Sequence, residues 1–553
     1  MKQKKGLNDL LIPILLVLVV VPVLVYFHIY ESGLSQYDWY DTDDTVYDLY
    51  VTGKQTVLLI TSGVMLAILA FYVLLYKETC KNMKCLFPVL GYETWMVLSV
   101  VLAKDKTLAL RGAEGCGESL FVVLSYGVIL VYCYLLLQSE ADYLTVLKGI
   151  CVVTVVLGAV GLFQLAGRDL LDLQWVQRLI MPSALEAQYI GKLGDTFSAH
   201  TVYSTLFNPN YAAQIFAVLL TFFMYMAFTE QKKKIAVCYL GLCGVLALLL
   251  FFTYSRMGLI LGIVGAIGAL WLAVGNKKKT IVLSIAFVCV VVLLFGLDFV
   301  TGGRMKSRLI DAKTDMPISS MTTDEEGIHI TYKGQQADVT LADAKEHTGL
   351  FGGDGSIRVK DLGETEGIEL TLDDHTWYFV QIDGVYYYIN DFGRPDTLTD
   401  IPKVSLFGLE YLASGRGYVW ARTIPVILRR PLFGYGPDNF VAAYPQNDYV
   451  GKYYYSKMTN MIMDKAHNGY LQIMVQNGVP ALVWLALFVI IWIKRELQTD
   501  RQGLLISERM GKAAFLSCCI YLVSLLTCDI TLFTMPVMVC IWGISISTQK
   551  SSL

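Results

Sequence analysis

Four short stretches set groups that hold phosphate or move protons at the ends of hydrophobic runs. Lys465 to Trp492 reads KAHNGYLQIMVQNGVPALVWLALFVIIW, so His467 stands at the mouth of a run long enough to cross a bilayer. A neutral imidazole accepts a proton near physiological pH, which an arginine does not. Ser255-Arg256 opens another run in TYSRMGLILGIVGAIG, and Ser414 to Phe440 carries Arg416, Trp420, Arg422 and the Arg429-Arg430 pair. Guanidinium is a planar fork of donors that grips phosphate oxygens bidentately. Two arginines holding a diphosphate and one histidine activating a hydroxyl make a glycosyl-transfer site. In the fourth stretch, FNPNYAAQ, Asn208 and Asn210 flank a proline where a further run begins.

Each residue also has a plainer reading. Asn208 ahead of Pro209 and Asn468 ahead of Gly469 are suited to capping helices. Arg256 can snorkel to lipid headgroups, and a loop guanidinium is usually just solvated. The glycines at 258, 262, 265 and 268 favour close helix packing, which would hold Arg256 against other helices rather than lipid.

The elements that carry these residues are set by composition. The chain has 553 residues, 55% hydrophobic and 16% charged, and a mean hydropathy of +0.52, too apolar for an ordinary soluble protein. A spanning helix takes roughly 20 apolar residues. About twelve stretches qualify: 10–30, 56–76, 86–102, 118–138, 146–166, 210–229, 235–252, 256–274, 280–300, 470–493, 511–528 and 530–548. The last two are separated only by Cys528-Asp529. The first follows a basic head without a small-residue cleavage site and reads as a retained anchor. The fold class expected is an all-α polytopic membrane protein, with about nine spans in 1–300 and about three in 470–553.

Lys and Arg cluster in the loops of one parity: MKQKK, KETCKNMK, EQKKK, NKKK and the 494–512 connector. By the positive-inside rule these face the cytoplasm with both termini. The loops at 37–48, 167–209 and 301–469 then lie outside. Within 167–209, the stretch 169–180 spaces Leu and Trp as an interfacial helix does. Stretch 423–440, rich in Pro and Gly, is suited to dip toward the bilayer where protein covers it.

The long outer loop divides in two. Residues 311–405 alternate with period two and include Asp383-Gly384, which predicts antiparallel strands with a hairpin in a small extracytoplasmic β module. That part holds 19 acidic and 6 basic residues over 311–400, whereas 416–465 holds 7 basic and 3 acidic, so an anion belongs in the second part, 406–469. The 12 cysteines avoid the loop altogether and read as apolar packing residues. Trp377, Tyr378 and Tyr386 to Tyr388 have two readings, a core of the module or a glycan-contacting surface.

The order of these motifs resembles the O-antigen ligase and Wzy-type polymerase family. The resemblance rests on outer Ser255-Arg256, Gly415-Arg416 with Trp420, RPLFGYGPDNF and HNGYLQ, with Gly112 to Gly115 (GAEG) and the 208–210 NPN upstream. It covers roughly 90–310 and 405–548; the β module departs from it. The resemblance implies transfer of a polyprenyl-diphosphate-linked glycan to an acceptor hydroxyl at the outer face, with no cofactor, nucleotide sugar or essential metal. Arg256 and Arg416 would contact the diphosphate and His467 would serve the hydroxyl. Asn208, Asn210, Ser255, Trp420, Arg422, Asn468 and Tyr470 would line the substrate site. Its partners are then the lipid-linked donor, a glycan or other surface-polymer acceptor and the bilayer, and no nucleic acid. A transporter or flippase of lipid-linked saccharide is the alternative. Such proteins usually place charges near the bilayer middle, and here the charges sit at the outer rim. A sensor would need a cytoplasmic output domain, which the short inner loops do not offer.

Overall fold

The computed structural model describes residues 8–40, 45–75, 83, 85–193, 197–274, 316–346, 356–361, 366–372, 375–406, 410, 412–499 and 503–549. It is mostly helical. Helices α1 (Val51–Leu75), α2 (Phe87–Val101), α3 (Leu120–Leu136), α4 (Glu140–Leu165), α5 (Pro209–Thr229), α6 (Lys233–Phe252) and α7 (Arg256–Ala273) precede the outer region. Helix α8 (Leu412–Arg429) lies in the outer region, and α9 (Gly469–Asn477), α10 (Val479–Gln498), α11 (Ile506–Ser524) and α12 (Met535–Ser547) follow it. Capping starts several of them. Ser119 accepts from the Val122 N–H, Ser139 and Asp142 form a capping box, and Ser255 accepts from the Gly258 N–H.

Five described helices, α1, α4, α5, α6 and α7, are long and apolar enough to cross a membrane. Four shorter apolar helices, Asp9–Val23, α2, α3 and α12, accompany them, while α10 and α11 each carry three charged residues near one end. Helix α5 is apolar all round and buried along its length, packed by α6, α7 and α11. In contrast α1 leaves Ile60, Leu66, Phe71 and Leu75 exposed, and α6 leaves Val237 and Leu248 exposed, the outward apolar faces that lipid covers.

Two expected spans are changed. The first, 10–30, stops as helix at Val23, and its end becomes strand β1 (His28–Glu31), paired antiparallel with β2 (Thr45–Asp48). The carbonyls freed at Val21, Pro22 and Leu24 are taken by the buried Lys54 Nζ, at 3.2, 2.8 and 2.6 Å. The span 470–493 breaks into α9 and α10 at Gly478, whose φ is +80°. A side chain there would overlap the Leu432 carbonyl, because the 430–436 loop threads against this break. That loop bonds the two segments together through Val479 N to Pro431 O (2.8 Å) and Tyr435 N to Val475 O (2.9 Å). Ser99 and Trp95 of α2 satisfy Phe433 O and Leu432 O, so the irregular 423–440 backbone is covered by protein. The 280–300 span lies outside the described residues.

The β module forms two antiparallel sheets. Strands β3 (Ile318–Thr323), β4 (Ile328–Tyr332) and β5 (Gln335–Val339) make one, in that order. Strands β6 (Ser356–Asp361), β7 (Glu366–Leu372), β8 (His375–Ile382), β9 (Val385–Ile389) and β10 (Pro395–Asp396) make the other, ordered β10-β9-β8-β7-β6. Asp383 and Gly384, at φ +50° and +84°, turn β8 into β9, pairing Ile382 with Val385. Trp377, Tyr386 and Tyr388 are buried with Phe379, Ile330 and Leu370, and Tyr449 and Tyr453 from the helix Tyr449–Ser456 join the same core. Tyr378 and Tyr387 face outward. Helical turns at Leu170–Asp172 and Gln174–Ile180 stand where the 169–180 periodicity predicts a helix.

Candidate active site

His467 is one residue ahead of the cap. Asn468 is the cap of α9, accepting the N–H groups of Tyr470 and Leu471 at 3.1 Å each and donating to Leu526 O at 3.0 Å. The Gly469 N–H bonds Leu525 O (2.8 Å) and Cys528 O (2.9 Å), and the Tyr470 hydroxyl donates to Leu522 O (2.7 Å). The Asn-Gly-Tyr that follows His467 is therefore docking chemistry for the segment after α11. His467 itself adopts φ +51°, which turns its ring onto that segment.

There Nδ1 meets Asp529 Oδ2 at 3.0 Å, with the imidazole 37% exposed and the carboxylate 1% exposed. The Tyr211 hydroxyl donates to the same oxygen at 3.4 Å. Burial disfavours the imidazolium, but the charge and hydrogen bond of Asp529, aided by Asp464, outweigh it and raise the His467 pKa; Arg416 opposes them. Among the described residues Nε2 makes no hydrogen bond. A carboxylate on Nδ1 fixes the tautomer and leaves Nε2 to accept a proton.

Arg416 is half-buried in the first turns of α8, close enough for its charge to act on His467, Tyr455 and Cys528. Gly415 before it has φ +86°, and a side chain there would overlap the Tyr455 ring. One turn on, Trp420 Nε1 donates to Ala466 O at 3.0 Å, tying α8 to the residue beside His467. Among the described residues the Arg416 guanidinium has no ion-pair partner.

Arg422 is placed differently. It is 2% exposed, its Nε bonds Asp448, its Nη1 lies 3.5 Å from Glu410, and its guanidinium sits 3.9 Å over the Tyr418 ring. That side chain is spent on the fold. Asn208 caps α5 through Asn210 N (2.9 Å), and Ser255 caps α7. Gly258, Gly262 and Gly265 pack α7 against Ala213, Leu250 and Thr221. Arg256, however, points away from that face and is exposed, with no ion pair among the described residues. The glycine face holds the helix and leaves the arginine outside it, contrary to the packing expectation.

Sequence reading missed three acids around the site, Asp529, Asp464 and Asp438. Asp529 was visible only as the polar break between the last two apolar runs. Asp464 pairs with Lys465 at 2.9 Å, and Lys465, 2% exposed, also donates to Gly115 O at 3.3 Å. Although burial alone would raise the Asp464 carboxyl, the charges of Lys465 and His467 hold it below the usual range. Asp438 of the GPDN stretch accepts the N–H groups of Ala113 (2.6 Å) and Glu118 (2.9 Å), and burial pushes it up to about 6. Asn439 clamps Asp105 from both sides, taking its N–H at 2.8 Å and donating to its carbonyl at 2.9 Å. GAEG, GPDN and KAHN thus form one interlocked floor under His467.

The Wzy_C (O-Antigen ligase) family model matches residues 241–488, a range that contains Arg256, Arg416 and His467 and ends before Asp529. No curated protein matches the chain.

Proposed function

We propose that the chain, whose residues 241–488 match the O-antigen ligase family model, acts in cell-surface polysaccharide synthesis and moves a glycan from a polyprenyl-diphosphate carrier onto an acceptor hydroxyl at the outer face of the membrane. The observation that carries this reading is the His467–Asp529 pair with Arg416 beside it. Asp529 holds the imidazole, and Nε2 takes the acceptor's proton. The acceptor oxygen then bonds the anomeric carbon as the carbon–oxygen bond to the diphosphate breaks. Charge develops on the departing diphosphate, and guanidinium groups aimed at it stabilise that step most. Arg416 supplies one such group, and Arg256, exposed at the start of α7, reaches the lipid-held end of the same carrier.

In this reading about twelve spans, termini inside, carry the site at the outer rim, where the prenyl tail stays in lipid and the diphosphate meets water. Asn210 and Tyr470 flank the donor, while Asn208, Ser255 and Asn468 hold the helix starts that shape its site.

The test is single replacement of Arg256, Arg416 and His467 by Ala, with lipid-linked glycans followed by mass spectrometry. General-base loss typically costs about 10²–10⁴-fold. Accumulated full-length lipid-linked polymer identifies a ligase, and accumulated single repeats identify a polymerase. Normal glycan output from all three correctly inserted variants would overturn the assignment.

A further inference from the structure

A polar cavity lies one helix away from His467. It measures about 530 Å³, within the roughly 300–1,000 Å³ of ligand sites. Lys104 and three segments distant in sequence wall it: the 36–39 loop, the 396–402 stretch that leaves the β module, and the 422–447 region of α8 and the loop after it.

The walls are built rather than loosely apposed. Arg394 donates to Tyr37 O at 3.1 Å and lies 3.7 Å from Asp38, while Asn390 donates to Asp38 O at 3.1 Å. The Tyr449 hydroxyl donates to Asp396 at 2.7 Å, Ser320 to Asp400 at 2.7 Å, and Lys104 to Ala442 O at 2.6 Å. Arg422 on the α8 side is held by Asp448. The charged residues lining the cavity balance in sign, Asp38, Asp396 and Asp400 against Lys104, Arg422 and Arg429, so neither an anion nor a cation is favoured there.

What the cavity still offers is an aromatic platform and neutral hydrogen-bonding capacity. Tyr37 and Trp39 stack with centroids 4.8 Å apart at 19°, and both are half-exposed. Gln36, Thr399 and Asn447 line the same space, and Arg429 is exposed at its edge. Flat apolar faces beside amide and hydroxyl groups suit a ligand with apolar ring faces and equatorial hydroxyls. On this basis we infer that the cavity is a subsite for an uncharged stretch of oligosaccharide, several sugars from the bond being made.

Its position supports that use. Arg416 and Trp420 turn toward the His467 segment, while Arg422, Pro425, Val426 and Arg429 of the same helix line the cavity. From Arg416 to Val426 is about 15 Å along a helix, so one extended glycan reaches both places. The subsite rests on the glycosyl-transfer reading above and adds to it a hold on the chain away from its reactive end.

The experiment uses the full-length protein in lipid nanodiscs. The probe is a size ladder of oligosaccharides made by partial hydrolysis of the host's own surface polysaccharide, with binding read by saturation-transfer NMR. Trp39→Ala removes the platform, and Thr399→Trp fills the space without removing a contact. Wild type and His467→Ala are expected to bind the longer fragments, and both cavity variants to lose about tenfold in affinity. In cells, the cavity variants are expected to shift product length while transfer continues. No binding by wild type, or unchanged binding and product length in both cavity variants, overturns the subsite. Continued transfer by His467→Ala and Arg416→Ala instead overturns the reading it rests on.

Discussion

At the scale of single residues the proposed chemistry rests on His467 and Asp529. The folded-state pKa of His467 is raised, so a base at this position works only above that value, and transfer is expected to rise with pH through it. Asp529→Asn removes the charge that raises it. The acid limb of the pH–rate profile should then move to lower pH while the plateau falls at least tenfold, since the amide no longer favours the right tautomer. An unmoved limb would detach Asp529 from the base. Stability takes the opposite sign to rate. A raised folded pKa means the His467–Asp529 pair stabilises fully below about 6.5, the ordinary imidazole value, and loses that contribution as pH rises through the folded pKa. Arg422 predicts a different phenotype. Leaving Asp448 buried without its guanidinium should cost about 3–5 kcal/mol, so Arg422→Ala should fail in thermal unfolding before it fails in substrate affinity.

Among the elements, two glycines decide how helices meet. Gly478 breaks the tenth expected span so that the 430–436 loop can bond its inside, and the atom it would clash with is backbone, which cannot swing away. Gly478→Ala combines positive-φ strain with that clash and should destabilise by more than about 1 kcal/mol, measured as a lowered unfolding temperature. Gly415 faces a movable Tyr455 ring instead. Gly415→Ala should therefore cost less stability and more activity, because it shifts Arg416 relative to His467. Equal losses in both variants would contradict this division.

The β module belongs to the whole molecule rather than hanging from it. Its core includes Tyr449 and Tyr453 of the outer helical region, and Asn390 and Arg394 bond the 37–38 loop. Deleting 318–400 therefore strips one wall from the polar cavity and uncovers two tyrosines. The expected result is retained glycosyl transfer with altered product length or acceptor choice, read by gel and mass spectrometry of surface glycan. Unchanged length and acceptor would make the module a passive insert. In its aromatic strands Trp377, Tyr386 and Tyr388 face inward while Tyr378 and Tyr387 face outward, and the stacked aromatic pair at the polar cavity, Tyr37 and Trp39, lies on another segment.

By itself the sequence determined what hydropathy, caps and turn residues dictate locally. The membrane class, the starts of α5, α7 and α9 at Asn208, Ser255 and Asn468, the Asp383-Gly384 hairpin and the period-two strands all follow from neighbours within a few residues. The order of the motifs around Arg256, Arg416 and His467 was likewise legible. Only the tertiary structure decided which polar groups are spent on packing and which are left facing the candidate site. Arg422 and Arg416 are alike on paper, yet one is buried on Asp448 and the other stands beside His467. Asp529 is 62 positions from His467, so no local pattern joins them. Their meeting depends on Gly469 docking against the end of α11, a contact that exists only once the helices have packed.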